Sequence, residues 1–210
     1  MHIRILLRKF NKFYSSNLLN ISEEISFIDE YFDAIHLDIE DGVAVNNISF
    51  GFKLAKSICD ISKSKEKTMH LELINPNKYI DRVRDCNVDV VFIQIDVLDN
   101  PINVITSFRQ KGICVGINIS NLDLLRDNLS EILASSEYVL VNTTHHDDVR
   151  QICDMRMIQI AERLANNGKK VWIDGGITWE IFEQIKNSCI HCAVMGRAVF
   201  SNKNKIIKTN

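Results

Sequence analysis

Short apolar runs recur along the chain at nearly even spacing, near Ile3–Leu7, Asp33–Asp38, Lys67–Leu73, Val88–Ile95, Ile113–Ile119, Glu137–Asn142, Lys170–Asp174 and Cys192–Gly196. Most are apolar at consecutive rather than alternate positions, the pattern of parallel strands covered on the outside by helices. Between them lie segments with helical period: Ser22–Tyr31, Phe50–Ser62, Asn77–Cys86, Pro101–Lys111, Leu122–Ser135, Val149–Asn167, Trp179–Ser188 and Phe200–Lys208. Asn75-Pro76 and Asn100-Pro101 put proline where a helix opens and no N–H is needed. Thr178 can cap the helix that follows it, and Gly112 and Gly168 stand where helices should end. Eight strands alternating with eight helices predict an α/β fold, a (β/α)8 TIM barrel formed as one domain over residues 1–210. The polar segment Lys203–Asn210 is expected to fray.

Composition narrows the setting. At 210 residues and 46% hydrophobic, the chain can bury a full core. A formal net charge of −2 and the lack of any Lys/Arg cluster argue against nucleic acid or an anionic membrane as partner. Met1–Lys9 has too short an apolar stretch for a signal sequence and no small-residue cleavage site. No run reaches the length of a bilayer span, so a cytoplasmic setting is expected. The six cysteines, Cys59, Cys86, Cys114, Cys153, Cys189 and Cys192, read as reduced thiols rather than a disulfide framework. Cys189-Ile190-His191-Cys192 has CxxC spacing but no second pair to complete a zinc site.

The candidate chemistry gathers at strand ends. In His36-Leu37-Asp38, residues two apart share one face of a strand, so an imidazole and a carboxylate point the same way. His70 lies late in the next apolar run, and Asp174 ends the run before Gly175-Gly176. Two His and two Asp on separate strands form a two-nitrogen, two-oxygen set suited to a divalent metal. In a barrel, catalytic groups sit at the C-terminal ends of the strands. All four residues fall there.

At these positions the chain resembles the ribulose-phosphate 3-epimerase family. The family pattern H-[LV]-D-V-M-D-G-x-[FY]-V-P-N-[IL]-[ST]-F-G is matched by the stretch from His36 to Gly51. The segment Met69-His70-Leu71-Glu72-Leu73-Ile74-Asn75-Pro76 matches the pattern around strand three. Ile173-Asp174-Gly175-Gly176-Ile177 matches V-D-G-G-[IV], and Gly196-Arg197-Ala198-Val199-Phe200 matches the closing G-[SN]-A-[IV]-F. The likeness runs from about Ser15 to Phe200. It implies a ribulose-phosphate-binding type of barrel in which His36, Asp38, His70 and Asp174 hold one divalent metal ion (zinc, iron(II), manganese or cobalt). It also implies that Asp38 and Asp174 act as the acid–base pair on opposite faces of a ketose phosphate. Removing the proton beside the ketone leaves an enediolate whose charge a metal can stabilise, and the second carboxylate returns a proton to the other face. Ser15 falls where the family has a substrate-contacting serine. Gly175, Gly176 and Gly196 fall on the anion-binding side, and a homo-oligomer is expected.

Three departures bear on substrate. Glu40, Glu72 and Asn142 stand where the family surrounds its metal with methionines. Two readings are open for the glutamates: they reach the metal or sugar hydroxyls, or they turn to solvent or pair with Lys or Arg. The glycine-rich phosphate loop after strand six is replaced by Thr143–Arg150, which is acidic and without glycine, a poor cradle for phosphate. His145-His146 within it read as an exposed polar loop, since adjacent side chains diverge on extended backbone. Arg197 replaces a small polar residue, and can either bind an anion as a guanidinium fork or form a salt bridge. Gln94 and Asn118 can reach a sugar or fill the polar end of the barrel. The reading is a metal-dependent carbohydrate epimerase, an isomerase. Its alternatives are a sugar-phosphate isomerase or decarboxylase/aldolase on the same barrel, or a barrel that binds sugar phosphate without catalysis. The decarboxylase option is weakened because Asp38-Ile39-Glu40-Asp41 lacks the lysine of the D-x-K-x-x-D pattern.

Overall fold

Eight parallel strands close into a barrel in the order of the sequence: β1 (Arg8–Lys12), β2 (Ala34–Glu40), β3 (Glu66–Glu72), β4 (Val90–Gln94), β5 (Val115–Ile119), β6 (Tyr138–Asn142), β7 (Lys170–Asp174) and β8 (Cys192–Met195). The computed structural model describes residues 8–12, 17–144 and 152–209. Closure is made by β1, whose backbone pairs with β2 through Phe10 and Ala34 and with β8 through Phe10 and Val194. The run Ile3–Leu7 read as the first strand lies outside the described residues. The first described strand is Arg8–Lys12.

The outer ring consists of α1 (Ile21–Tyr31), α2 (Phe52–Ile61), α3 (Ile80–Cys86), α4 (Pro101–Gln110), α5 (Leu129–Ala134), α6 (Met155–Asn166), α7 (Trp179–Ile185), α8 (Arg197–Phe200) and α9 (Lys203–Thr209). Thr178 caps α7 by accepting the Ile181 N–H, as its position predicts. Several expected helices differ: Asn77–Cys86 opens as a 3-10 turn at Pro76–Tyr79 and becomes helical at Ile80, and the one expected from Val149 begins at Met155, where Asp154 caps it. Leu122–Ser135 opens as a 3-10 turn at Asp123–Leu125 and becomes helical only at Leu129. The Asp123 carboxylate takes the backbone N–H and hydroxyl of Ser120, at 2.8 and 3.0 Å, and closes a tight turn that competes with the helix. The last segment divides at Ser201-Asn202 into α8 and α9. No helix among the described residues is long and apolar enough to cross a membrane.

The barrel interior changes character along the strands. Ala34, Val90, Phe92, Leu140, Trp172, Cys192 and Val194 fill its N-terminal half as a buried apolar plug, separate from the larger core between strands and helices. Phe92 and Trp172 meet edge to face with centroids 5.1 Å apart. The plug depends on Gly116: a Cβ there would lie 2.6 Å from Phe92 Cδ1 and 2.9 Å from Tyr138 Cβ. Above the plug the inward positions turn polar, with His36, Thr68, Asp38, His70, Gln94, Asn118 and Asp174 all buried. An apolar floor under a polar mouth is what confines the chemistry to the C-terminal end.

Candidate active site

The register of β2 against β3 places His36 beside Thr68, Asp38 beside His70, and Glu40 beside Glu72. Because side chains alternate, these six point into the barrel together. Strand β7 brings Asp174 from the other side, in register with Asn142 on β6 and Val194 on β8. His36, Asp38, His70 and Asp174 each offer a ligand atom, and the four atoms lie within 4.8 Å of one another. Their exposures are 0%, 0%, 2% and 7%. Two carboxylates removed from water at this separation are costly unless something positive lies between them.

The donors fit a divalent cation. His36 Nδ1 is 2.7 Å from Thr68 Oγ1, which turns Nε2 inward. That Nε2 is buried without a hydrogen-bond partner and lies 3.4 Å from Asp38 Oδ1. An imidazole held through one nitrogen with the other aimed at carboxylates is the arrangement that metal-binding histidines adopt. Mixed nitrogen and oxygen donors suit zinc, iron(II), manganese or cobalt.

Glu72 points inward. It is 7% exposed, and its Oε1 lies 3.3 Å from His70 Nδ1. Glu40, one register step above Asp38, accepts a hydrogen bond from Asn47 Nδ2. The β2–α2 loop is braced from beneath. Asp41 Oδ1 accepts the N–H groups of Val43 and Ala44, and Oδ2 accepts that of Ile74. Burial alone would raise the Asp41 pKa, but these backbone donors outweigh it and hold the carboxyl below its ordinary value.

Asn142 turns its carbonyl toward its own loop, accepting from Thr144 N and Oγ1 at 3.0 Å each. Thr143 Oγ1 donates to the backbone oxygens of Asp174 and Gly175, joining the loops after β6 and β7. Gly175 has a φ of 115°, and a Cβ on it would lie 2.9 Å from Thr144 Cγ2. Only glycine fits this junction without strain. Gly176 also holds positive φ. Gly196 and the exposed Arg197 follow β8, the neighbouring strand. Ser15 and the segment from His145 to Arg150 lie outside the described residues.

Sequence reasoning did not single out Thr68, Asn47 or Asp123. Thr68 was legible in principle, since it stands two residues before His70 and so shares its face. Asn47 reaches Glu40 only through the course of the loop, which no periodicity encodes. Gln94 and Asn118 are each 2% exposed, and Asn118 Nδ2 donates to Leu140 O, so they belong to the polar end of the barrel filling. Cys192 is buried in β8 while Cys189 is exposed in the preceding turn, so the two thiols of the CxxC face different surroundings.

Closed (β/α)8 architecture with buried His and Asp donors at the C-terminal mouth defines a TIM barrel with a site able to hold a metal ion. The sequence profile described as the ribulose-phosphate 3 epimerase family matches residues 12–200, and the chain belongs to that family. It is 26% identical over 214 residues to a ribulose-phosphate 3-epimerase from Synechocystis, covering 90% of this chain and 86% of the relative. A ribulose-phosphate 3-epimerase from Mycobacterium bovis is 25% identical over 174 residues, covering 80% and 75%. Among solved structures, a mutant tryptophan synthase alpha-subunit from Pyrococcus furiosus superposes with a TM-score of 0.68 at 14% identity, over 98% of this chain and 92% of that one. The last likeness concerns the fold alone.

Proposed function

We propose that this protein is a metal-dependent epimerase that inverts the carbon next to the ketone of a ketose phosphate. The observation that carries the reading is the convergence of Asp38 from β2 and Asp174 from β7, with His36 and His70, within 4.8 Å. His36, Asp38, His70 and Asp174 would hold the cation, which when bound stabilises negative charge on the ketone oxygen.

The chain's own groups do the rest. One aspartate accepts the proton from the carbon beside the ketone, leaving the substrate as an enediolate. The other, arriving from the far side of the barrel, delivers a proton to the opposite face. Thr68 holds His36 in a single orientation, and the apolar floor of Phe92 and Trp172 closes the site from below, keeping bulk water from that side. Glu40 with Asn47, and Asn142 at the end of β6, flank the mouth and are assigned to the sugar hydroxyls. Ser15 is assigned to the substrate on the resemblance alone. The phosphate end is assigned to the side of Gly175, Gly176, Gly196 and Arg197, where the exposed guanidinium can take the part that glycine-rich backbone lacks here.

Proton exchange in D2O tests this. Protein loaded with zinc, manganese or iron(II) is incubated with four- to seven-carbon ketose phosphates and followed by NMR. Deuterium appearing beside the ketone with inversion, and lost in Asp38→Asn and Asp174→Asn, is the expected result. Exchange with carbonyl migration makes the protein an isomerase of another kind. No exchange with any metal or sugar overturns the reading.

A further inference from the structure

Asp38 lies near the end of β2 and Asp174 closes β7, where the hydrogen-bonded ladders run out. Backbone groups of successive strand residues point to alternate edges. The Asp41 N–H goes to Glu72 O on the β3 side, so the Asp38 carbonyl and the Glu40 N–H face the β1 edge. Among the described residues, β1 pairs with β2 only as far as His36. Beyond that point Ser49 serves as the pairing partner. Its Oγ donates to Asp38 O at 2.6 Å and accepts the Glu40 N–H at 3.1 Å. The antiparallel bridge between Asp41 and Ile48 returns the loop to that edge.

Asp174 has a counterpart. The β6–β7 ladder ends at Asn142 beside Asp174, and the next residue, Thr143, gives the Asp174 carbonyl two donors. Its N–H reaches that oxygen at 2.7 Å and its Oγ1 at 2.9 Å. Thr143 is fully buried, and its own carbonyl accepts the N–H of Asp154, the residue that caps α6. Each aspartate is thus gripped at its carbonyl by a hydroxyl from a βα loop, and the two grips share no residue. A carbonyl fixed at the strand edge fixes the direction in which its side chain leaves the strand. Proton transfer tolerates little error in that direction, since a misplacement of about 1 Å can lower a rate on the order of a hundredfold. We propose that Ser49 and Thr143 are positioning residues, Ser49 setting the carboxylate of Asp38 and Thr143 that of Asp174 against opposite faces of the substrate carbon. The inference rests on the two-carboxylate reading above.

The test uses the full-length, metal-loaded protein. The probes are ribulose 5-phosphate and its epimer, or the ketose phosphate pair that the D2O screen selects, each deuterated on the carbon beside the ketone. Rates alone do not reveal which aspartate is disturbed, because the equilibrium constant ties kcat/KM in the two directions together. The isotope effect on kcat/KM does. It grows for the epimer whose proton faces the disturbed carboxylate, as that transfer becomes slower, and shrinks for the other. Ser49→Ala and Thr143→Val remove the hydroxyls, and each is expected to lower kcat by about 10–100-fold with KM little changed. Their isotope effects should shift in opposite senses. Ser49→Thr and Thr143→Ser keep the hydroxyl and should restore the wild-type pattern. Amide exchange at Glu40 gives a readout independent of activity: its protection should fall in Ser49→Ala and not in Thr143→Val. Unchanged kcat, isotope effects that do not move, or shifts in the same sense would overturn the positioning roles while leaving the epimerase reading intact. A wild type that moves no proton on any ketose phosphate would overturn both.

Discussion

Thr68 Oγ1 lies 2.7 Å from His36 Nδ1, across the β2–β3 register, and this contact decides which imidazole nitrogen faces the carboxylates. Both groups are fully buried, so no water competes for either. Replacing Thr68 by valine keeps the shape and removes the hydroxyl. The barrel is expected to fold, since valine occupies the space of threonine, while divalent-metal affinity falls by about 10–100-fold as His36 loses its orientation. Calorimetric titration of metal into the metal-free Thr68→Val protein measures this. An unchanged affinity would show that packing alone holds the ring.

Asp41 gives the site a pH-dependent brace. Its carboxylate joins the β2–α2 loop to the start of the segment after β3 through Val43, Ala44 and Ile74. The folded pKa is depressed below the ordinary 3.8, so the stabilisation is complete above that value and is lost as pH falls through the lower, folded one. Asp41→Asn is expected to cost about 1–2 kcal/mol at neutral pH. Its stability should change less than the wild type's between about pH 5 and about pH 2. Urea unfolding across that range is the measurement, and parallel curves for the two proteins would contradict the assignment.

Much of this architecture was legible in the sequence, for physical reasons that also mark where legibility stopped. Strands buried on both faces have continuous apolar runs, so β7 could be read at Lys170–Asp174 to the residue. His36, Asp38, His70 and Asp174 could be read because strand alternation and barrel polarity fix both face and end. Helix limits were less secure wherever a side chain competes with the backbone. Asp123, tied to Ser120, shortens the helix expected at Leu122, and no hydrophobic period reports that bond. Glu72 was ambiguous for a related reason. Alternation showed that it shares a face with His70, but only the fold shows that it is buried with its Oε1 3.3 Å from His70 Nδ1.

The apolar floor makes a sharp demand on one backbone position. Gly116 pairs with Phe92 across β4 and β5, and an added methyl would lie 2.6 Å from the ring. Phe92 is fully buried and wedged against Trp172, so the ring has nowhere to retreat. Gly116→Ala is expected to destabilise the protein by about 1–3 kcal/mol. Phe92→Leu should relieve part of that cost, so the double mutant should be more stable than the two single losses summed. A full set of thermal or urea unfolding curves decides it, and strict additivity would mean that the two positions do not meet.

Thiol chemistry reports on the outer ring independently of the site. Cys59 on α2 is pushed up to about 12 by burial, with Cys86 adding to the effect, and Cys86 on α3 is pushed up to about 11, again chiefly by burial. Only the thiolate alkylates, and at pH 8 roughly one Cys59 in ten thousand and one Cys86 in a thousand would carry the charge. Cys189 is exposed and meets reagent directly. Iodoacetamide at pH 8 followed by peptide mass spectrometry is therefore expected to label Cys189 first, and Cys59 and Cys86 only as the helices leave the barrel. The rate at Cys59 then measures how often α2 opens. Rapid labelling of Cys59 in the native protein would show that α2 is not packed as described.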